Sequence, residues 1–384
     1  MPEVSTVPGR PMIKELTGIR GIAAAWVVLF HFRAVVFGLL PITQHMKKWL
    51  DSGYLGVDIF FILSGFVISH VYTAELSTSR WQRYSRYLGA RMARLYPVHL
   101  AFLLLLLAGD VLSIAKPPVR DSAASFVGNV LMLQAIPPFQ AWNGPSWSIT
   151  YELGAYLLFP FLAFTLVRIR NAQSSFACAA AVNLLGVGLM ALVLSEPGAR
   201  PYHTIPALLR ITSEFTTGGL LHRGWSLLRR HRNSTWDTLA LATACCIAVC
   251  LACLPENYDY QILVIPLLAF LILACTRSAG PVPSFLGSRI LQWSGRISYS
   301  LYMTHFVILN LASLIILRWQ LVAHHSLPVR IGALIAYMSF AVGTAHLVYR
   351  FVEEPTRRRL RRWIDKKRSA DSLPSVAVAI SDDS

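Results

Sequence analysis

Ten separate stretches of this 384-residue chain are apolar and each about as long as a lipid bilayer is thick. They lie at about 21–38, 54–73, 95–114, 146–167, 176–195, 205–221, 237–254, 261–276, 297–317 and 330–350. A helix rises ~1.5 Å per residue, so roughly 20 apolar residues cross the ~30 Å hydrocarbon core. Hydrocarbon offers no partner to a backbone N–H or C=O, and a helix satisfies both within itself. The expected fold is an all-α integral membrane protein, a polytopic bundle of about ten transmembrane helices. Composition agrees, with 55% hydrophobic and 14% charged residues. Two stretches fit least well: 205–221 carries Arg210 and Glu214, and 261–276 is short.

Orientation is read from Lys and Arg. Of the 35 such residues, 26 fall in the segments on the amino-terminal side and 7 on the other, with Arg33 and Arg210 inside spans. By the positive-inside rule both termini are expected in the cytoplasm, which requires an even number of spans. The net charge of +16 is thereby accounted for loop by loop. It reads as topology plus attraction to anionic membrane lipid, not as a nucleic-acid surface. Residues 1–14 hold no apolar core or small-residue cleavage site, so the first helix is expected to be its own insertion signal. The expected organisation is a cytoplasmic amino-terminal segment over 1–12, a transmembrane domain over 13–362 and a polar, Ser-rich disordered tail over 363–384. Residues 115–145 form the longest outer loop, and SFVGNVLMLQAI within it predicts a re-entrant or surface-lying helix. The halves show no matching pair of interrupted helices of the kind common in transporters.

Ionisable side chains inside such spans are costly and mark pathways or reaction centres. His31 stands near the middle of the first stretch, eleven residues after Arg20. At ~100° and ~1.5 Å per residue the two side chains share nearly one face, roughly 16 Å apart in height. Arg91 and Arg94, before the third span, are three apart and project from one face, a geometry suited to phosphate oxygens. Arg80, Arg83 and Arg86 read as orientation signals. Glu152 enters the fourth span one turn after Ser148, with Trp147 and Tyr151 as a neighbouring stripe suited to sugar stacking or an interfacial belt. Tyr302 and His305 share a face of the ninth. Asp58 and Ser64 flank an apolar run in the second, where the Ser-Gly pair permits close helix packing. His99 is the remaining histidine of note. Glu353, Glu354 and Pro355 read as a helix end. Of six cysteines, four cluster at 245–253 without histidines at zinc spacing, and no metal site is expected.

The segments ELTGIRGIAAAWVVLFHF, GYLGVDIFFILSGFVIS, RMARLYP, WSITYELGAYLLFP, GRISYSLYMTHF and FVEEPTRRR follow one another in this order. Together they resemble the membrane-bound acyltransferase-3 family, integral-membrane O-acyltransferases that modify bacterial polysaccharides and some secondary metabolites. The resemblance spans about 13–362. It includes the family's basic residue and histidine in the first helix, matched by Arg20 and His31, and its Arg-x-x-Arg, matched by Arg91 and Arg94. One departure is Thr17, where an Asp is frequent. With little chain after the membrane part, the form expected is the stand-alone one.

The resemblance implies a multi-pass protein of the bacterial inner (plasma) membrane, with acyl-CoA (acetyl-CoA by default) as donor and a saccharide or glycoconjugate hydroxyl as acceptor. On that reading Arg20, Arg91 and Arg94 hold the donor's phosphates. His31 either takes the alcohol's proton or carries the acyl group itself. Glu152 orients His31 or binds acceptor hydroxyls, and His305, Tyr302, Trp147 and Tyr151 are secondary site residues. The competing reading is a transporter of a proton-coupled or saccharide substrate, with His31, Glu152 and the arginines as its path.

Overall fold

The computed structural model describes residues 12–77, 81–112, 123–196, 198, 204–228, 232–256, 258–360 and 362. Each of the ten apolar stretches is met by a helix: α1 (Lys14–Leu39), α2 (Gly56–Leu76), α3 (Trp81–Val111), α4 (Trp147–Arg168), α5 (Ala172–Leu194), α6 (Thr204–Leu227), α7 (Thr235–Cys253), α8 (Ile265–Arg277), α9 (Arg289–Ala323) and α10 (Leu327–Val348). Among the described residues seven helices are long and apolar enough to cross a membrane. Outside that set fall α6, interrupted by Arg210 and Glu214, α8, which has 13 residues, and α9 over its described side chains. The amino-terminal segment to residue 11 and the tail from 363 lie outside the described residues.

Helices in lipid gain little from hiding apolar surface from one another, so close association relies on small residues that let backbones touch. The main pairings are α1 with α9, α5 with α6, and α2 with α6. Glycines mark all three; between α5 and α6 a Cβ on Gly186 would strike the Ser213 side chain. A Cβ on Gly65 of α2 would strike the Phe215 carbonyl oxygen, and one on Gly218 of α6 would strike that of Ile62. The same holds between α1 and α9: a Cβ on Gly21 would meet the Ser294 hydroxyl, and one on Gly295 the Thr17 carbonyl oxygen. Thr17 thus packs against the α9 backbone. Phe60 of α2 packs against all three apolar clusters of the interior.

The predicted loop helix is a two-turn element, Ala123–Val130, followed by turns that lead to Gly144–Ser146 and α4. Buried amides hold this segment in place. Asn129 donates to the Ser125 and Gln140 carbonyls and accepts from the Trp142 N–H, and Asn143 donates to the Met303 carbonyl at 2.9 Å. His99 meets the Asn129 carbonyl at 2.7 Å.

One expectation is corrected. No helix end stands at Glu353–Pro355: α10 passes through a π turn, Tyr349–Glu353, and helix continues to residue 360. The wide turn already releases an i→i−4 bond, so the missing N–H of Pro355 costs the helix little. Glu353 is buried and accepts from the Ser300 hydroxyl at 2.6 Å.

Gly218→Leu should lower the thermal midpoint of the detergent-solubilised protein, by the ~1–3 kcal/mol typical of overpacking. Gly343→Leu, where a Cβ meets nothing within 4 Å, should leave it unchanged.

Candidate active site

A cleft, part of it open to the outside, lies between α1, α2, α3, α4 and α9. Its walls carry Arg20, Arg91 and Arg94 together with Glu152. α1 supplies the first arginine, the entry of α3 the other two, and α4 the carboxylate. All four side chains are half-buried. Arg20 donates to the Ser298 hydroxyl at 3.3 Å. Arg91 donates to the Tyr72 hydroxyl at 3.2 Å and lies over that ring, while its Nε is buried without a partner. Three guanidinium groups facing one carboxylate leave the cleft with a cationic surplus, a setting for an anion with several oxygens.

Glu152 accepts hydrogen bonds from the Ser64 hydroxyl at 3.2 Å and from the Tyr156 hydroxyl. It is thus brought to the arginines; its hydrogen bonds among the described residues do not include His31. Ser148 and Tyr302 also line the cleft. Their hydroxyls are 2.9 Å apart, and Tyr302 donates to the Pro145 carbonyl at 2.8 Å.

His31 is half-buried on α1 and is not among the residues lining the cleft. Its Nδ1 lies 2.9 Å from the Val27 carbonyl oxygen and 3.3 Å from Nε2 of His305, which is fully buried on α9. The two rings are 4.8 Å apart, and the His305 ring is 5.7 Å from that of Tyr302. The order is therefore cleft, Tyr302, His305, His31. Trp147 and Tyr151 are not in the cleft wall either. Tyr151 donates to the Ala135 carbonyl at 3.2 Å, and Trp147 stands edge-on to Phe61.

A family model described as an acyltransferase domain matches residues 13–350. The chain belongs to the acyltransferase-3 family. It is similar to a protein named putative peptidoglycan O-acetyltransferase YrhL from Bacillus subtilis, 23% identical over 90% of this chain and 55% of the relative. Peptidoglycan O-acetyltransferase OatA of Listeria monocytogenes is 23% identical over 91% of this chain and 56% of the relative. Acyltransferase MdmB of Streptomyces mycarofaciens is 30% identical over 44% of each chain. The chain thus spans about half the length of the curated relatives it matches. No solved structure matches it.

Beside the cleft of this acyltransferase-3 chain lies a charged group that sequence reading did not assemble. Arg210 of α6 donates to both oxygens of Asp58 on α2, at 2.9 and 2.6 Å. Both residues are fully buried, as is Glu214 one turn further along α6. The Trp147 ring faces the guanidinium, 5.6 Å from its carbon. Arg210 and Glu214 were visible only as charges interrupting a span; their spacing of four was the available signal, but not the partner 152 residues away.

Removing a buried cation leaves carboxylates without a counter-charge. Arg210→Met should cost about 3–5 kcal/mol of stability, read as a loss of folded yield and thermal midpoint. Arg33→Met, whose partner Asp51 sits at a half-exposed site 2.7 Å away, should cost no more than ~1 kcal/mol.

Proposed function

We propose that this chain is a membrane O-acyltransferase. It moves an acyl group, acetyl in the simplest case, from cytosolic acyl-CoA to a saccharide hydroxyl on the far side of a bacterial plasma membrane. The observation that carries this reading is the convergence of Arg20, Arg91 and Arg94 on one cleft whose wall also holds Tyr302, next to the His305–His31 pair. Acetyl-CoA presents a pyrophosphate and a third phosphate at one end and a thioester at the end of a slender arm. In this reading the arginines grip the phosphates, and the arm runs along the cleft to Tyr302, whose ring is 5.7 Å from that of His305. The relatives named for peptidoglycan O-acetylation support acetyl as the group and a cell-wall glycan as the acceptor class.

An alcohol is a poor nucleophile until its proton is removed as attack begins. His31 Nε2 takes that proton, the alcohol oxygen bonds to the thioester carbon, and the carbon–sulfur bond breaks. The proton then passes from His31 to the departing sulfur, giving an ester and free CoA thiol. The linked hydroxyls of Ser148 and Tyr302 give the cleft wall a polar spot on the side nearest the histidines. With lysine and arginine concentrated on the amino-terminal side, both termini and the donor end of the cleft face the cytoplasm.

The test is acetyl transfer from acetyl-CoA to a soluble peptidoglycan glycan fragment by the full chain in nanodiscs, read by ester mass and thiol release. His31→Ala should abolish transfer while leaving acetyl-CoA affinity and yield intact. Arg91→Ala and Arg94→Ala should each weaken acetyl-CoA binding by about 10- to 100-fold, as expected for a lost charged hydrogen bond of ~1.5–3 kcal/mol. Transfer that survives His31→Ala, or acetyl-CoA affinity unaltered in both arginine variants, overturns the corresponding assignment.

A further inference from the structure

Each ring nitrogen of His31 and His305 can be assigned a role from its neighbours. A carbonyl oxygen only accepts, so a ring nitrogen bonded to one must carry the hydrogen. His305 Nδ1 lies 3.2 Å from the Leu301 carbonyl oxygen and therefore donates to it. In a neutral ring its Nε2 is then a bare acceptor. His31 Nδ1 lies 2.9 Å from the Val27 carbonyl oxygen and carries its own hydrogen for the same reason. The same hydrogen is shared with His305 Nε2, 3.3 Å from Nδ1, in a three-centre bond. Were the His305 ring charged, two N–H groups would confront each other across the gap. The set closes with one tautomer for each ring, and it leaves the lone pair of His31 on Nε2, away from both partners.

We propose that His305 is a positioning residue for the reaction: its Nε2 accepts the His31 Nδ1 hydrogen, fixes the ring and steadies the imidazolium that forms. The proposal rests on the reading of His31 as the base. When His31 Nε2 takes the alcohol's proton, the ring becomes positive and its Nδ1–H a stronger donor. Four aromatic rings flank the pair: Phe30, Phe32, Phe306 and Tyr302. Arg33, the nearby cation, is turned to Asp51. The neutral His305 ring therefore does what a carboxylate does in other acid–base pairs, without bringing a second buried charge into lipid. The proton stays on half-buried His31 until the thiolate accepts it, because moving it to the fully buried His305 ring would place the charge deeper in apolar surroundings.

The pairing is built into the helix contact. Gly295 stands 274 residues after Gly21, and His305 stands 274 after His31. From the close backbone approach to the histidines, α1 and α9 each advance ten residues in the same direction, about 15 Å at ~1.5 Å per residue. The glycine contact sets the register that puts His305 beside His31.

The test compares His305→Leu, which removes the acceptor, with His305→Gln, whose side-chain carbonyl reaches the place of Nε2. Both are assayed with His31→Ala in nanodiscs, using acetyl-CoA and the same glycan fragment. His305→Leu should lower kcat by about 10- to 100-fold, the usual effect of losing a group that orients a reactive ligand. KM for acetyl-CoA should stay within about twofold, and Gln should restore most of the rate. Wild-type kcat in the Leu variant, or equal loss in Leu and Gln, overturns the pairing. Activity in His31→Ala overturns the base reading on which it rests, and the two failures are thus told apart. If the Leu variant does not fold, ring 15N spectra of the labelled unmodified protein decide the matter. A scalar coupling between His31 Nδ1 and His305 Nε2 across the shared hydrogen supports the proposal, and hydrogen on His31 Nε2 overturns it.

Discussion

Two helix backbones meet where Gly21 of α1 lies against Ser294 and Gly295 of α9, and the geometry of the site is propagated from that contact. In lipid the apolar faces of helices do little to choose a partner, so the register of a pair is set where small residues let main chains approach. Once that register is fixed, Arg20 comes within 3.3 Å of the Ser298 hydroxyl at one level, and His31 comes beside His305 three turns further on. A side chain larger than hydrogen at either glycine would move both levels together.

The second constraint is charge. A guanidinium at membrane depth must be met by a counter-ion or by an enclosed polar space. The structure uses both answers side by side. Arg210 is fully buried and bidentate on Asp58, a closed arrangement that ties α2 to α6 and offers nothing to a ligand. Arg20, Arg91 and Arg94 are half-buried around a cleft and outnumber its one carboxylate. The same residue type is therefore a rivet in one place and the lining of an open cleft in another. The difference lies in how many acidic groups the neighbouring helices bring to it.

The aromatic side chains between these charged groups order them along one line. Phe60, packed on all three apolar clusters, and Tyr302 separate the arginine cleft from the histidines. The two rings stand edge to face, 6.2 Å between centroids, as a packed aromatic pair.

Much of this was legible in the sequence, because it depends on one segment at a time. Length and apolarity give a helix for each of ten stretches, since lipid leaves the backbone no other partner. The spacing of Arg20 from His31 and of Arg91 from Arg94 follows from the rise and turn of a single helix. The six motifs in order identify the family. What the sequence could not decide is which faces meet, for that depends on the rotation and neighbours of whole helices. Hydropathy cannot tell that Asp58 answers Arg210, that Glu152 turns to Ser64 and Tyr156 in the arginine cleft, or that His305 lies 3.3 Å from His31. Nor does it reveal that helix continues past Glu353, where a π turn resets the hydrogen bonding. Local chain physics determined the spans and the depth of each polar group. Only the packing of helix against helix, at contacts a few glycines permit, determined which of those groups face one another.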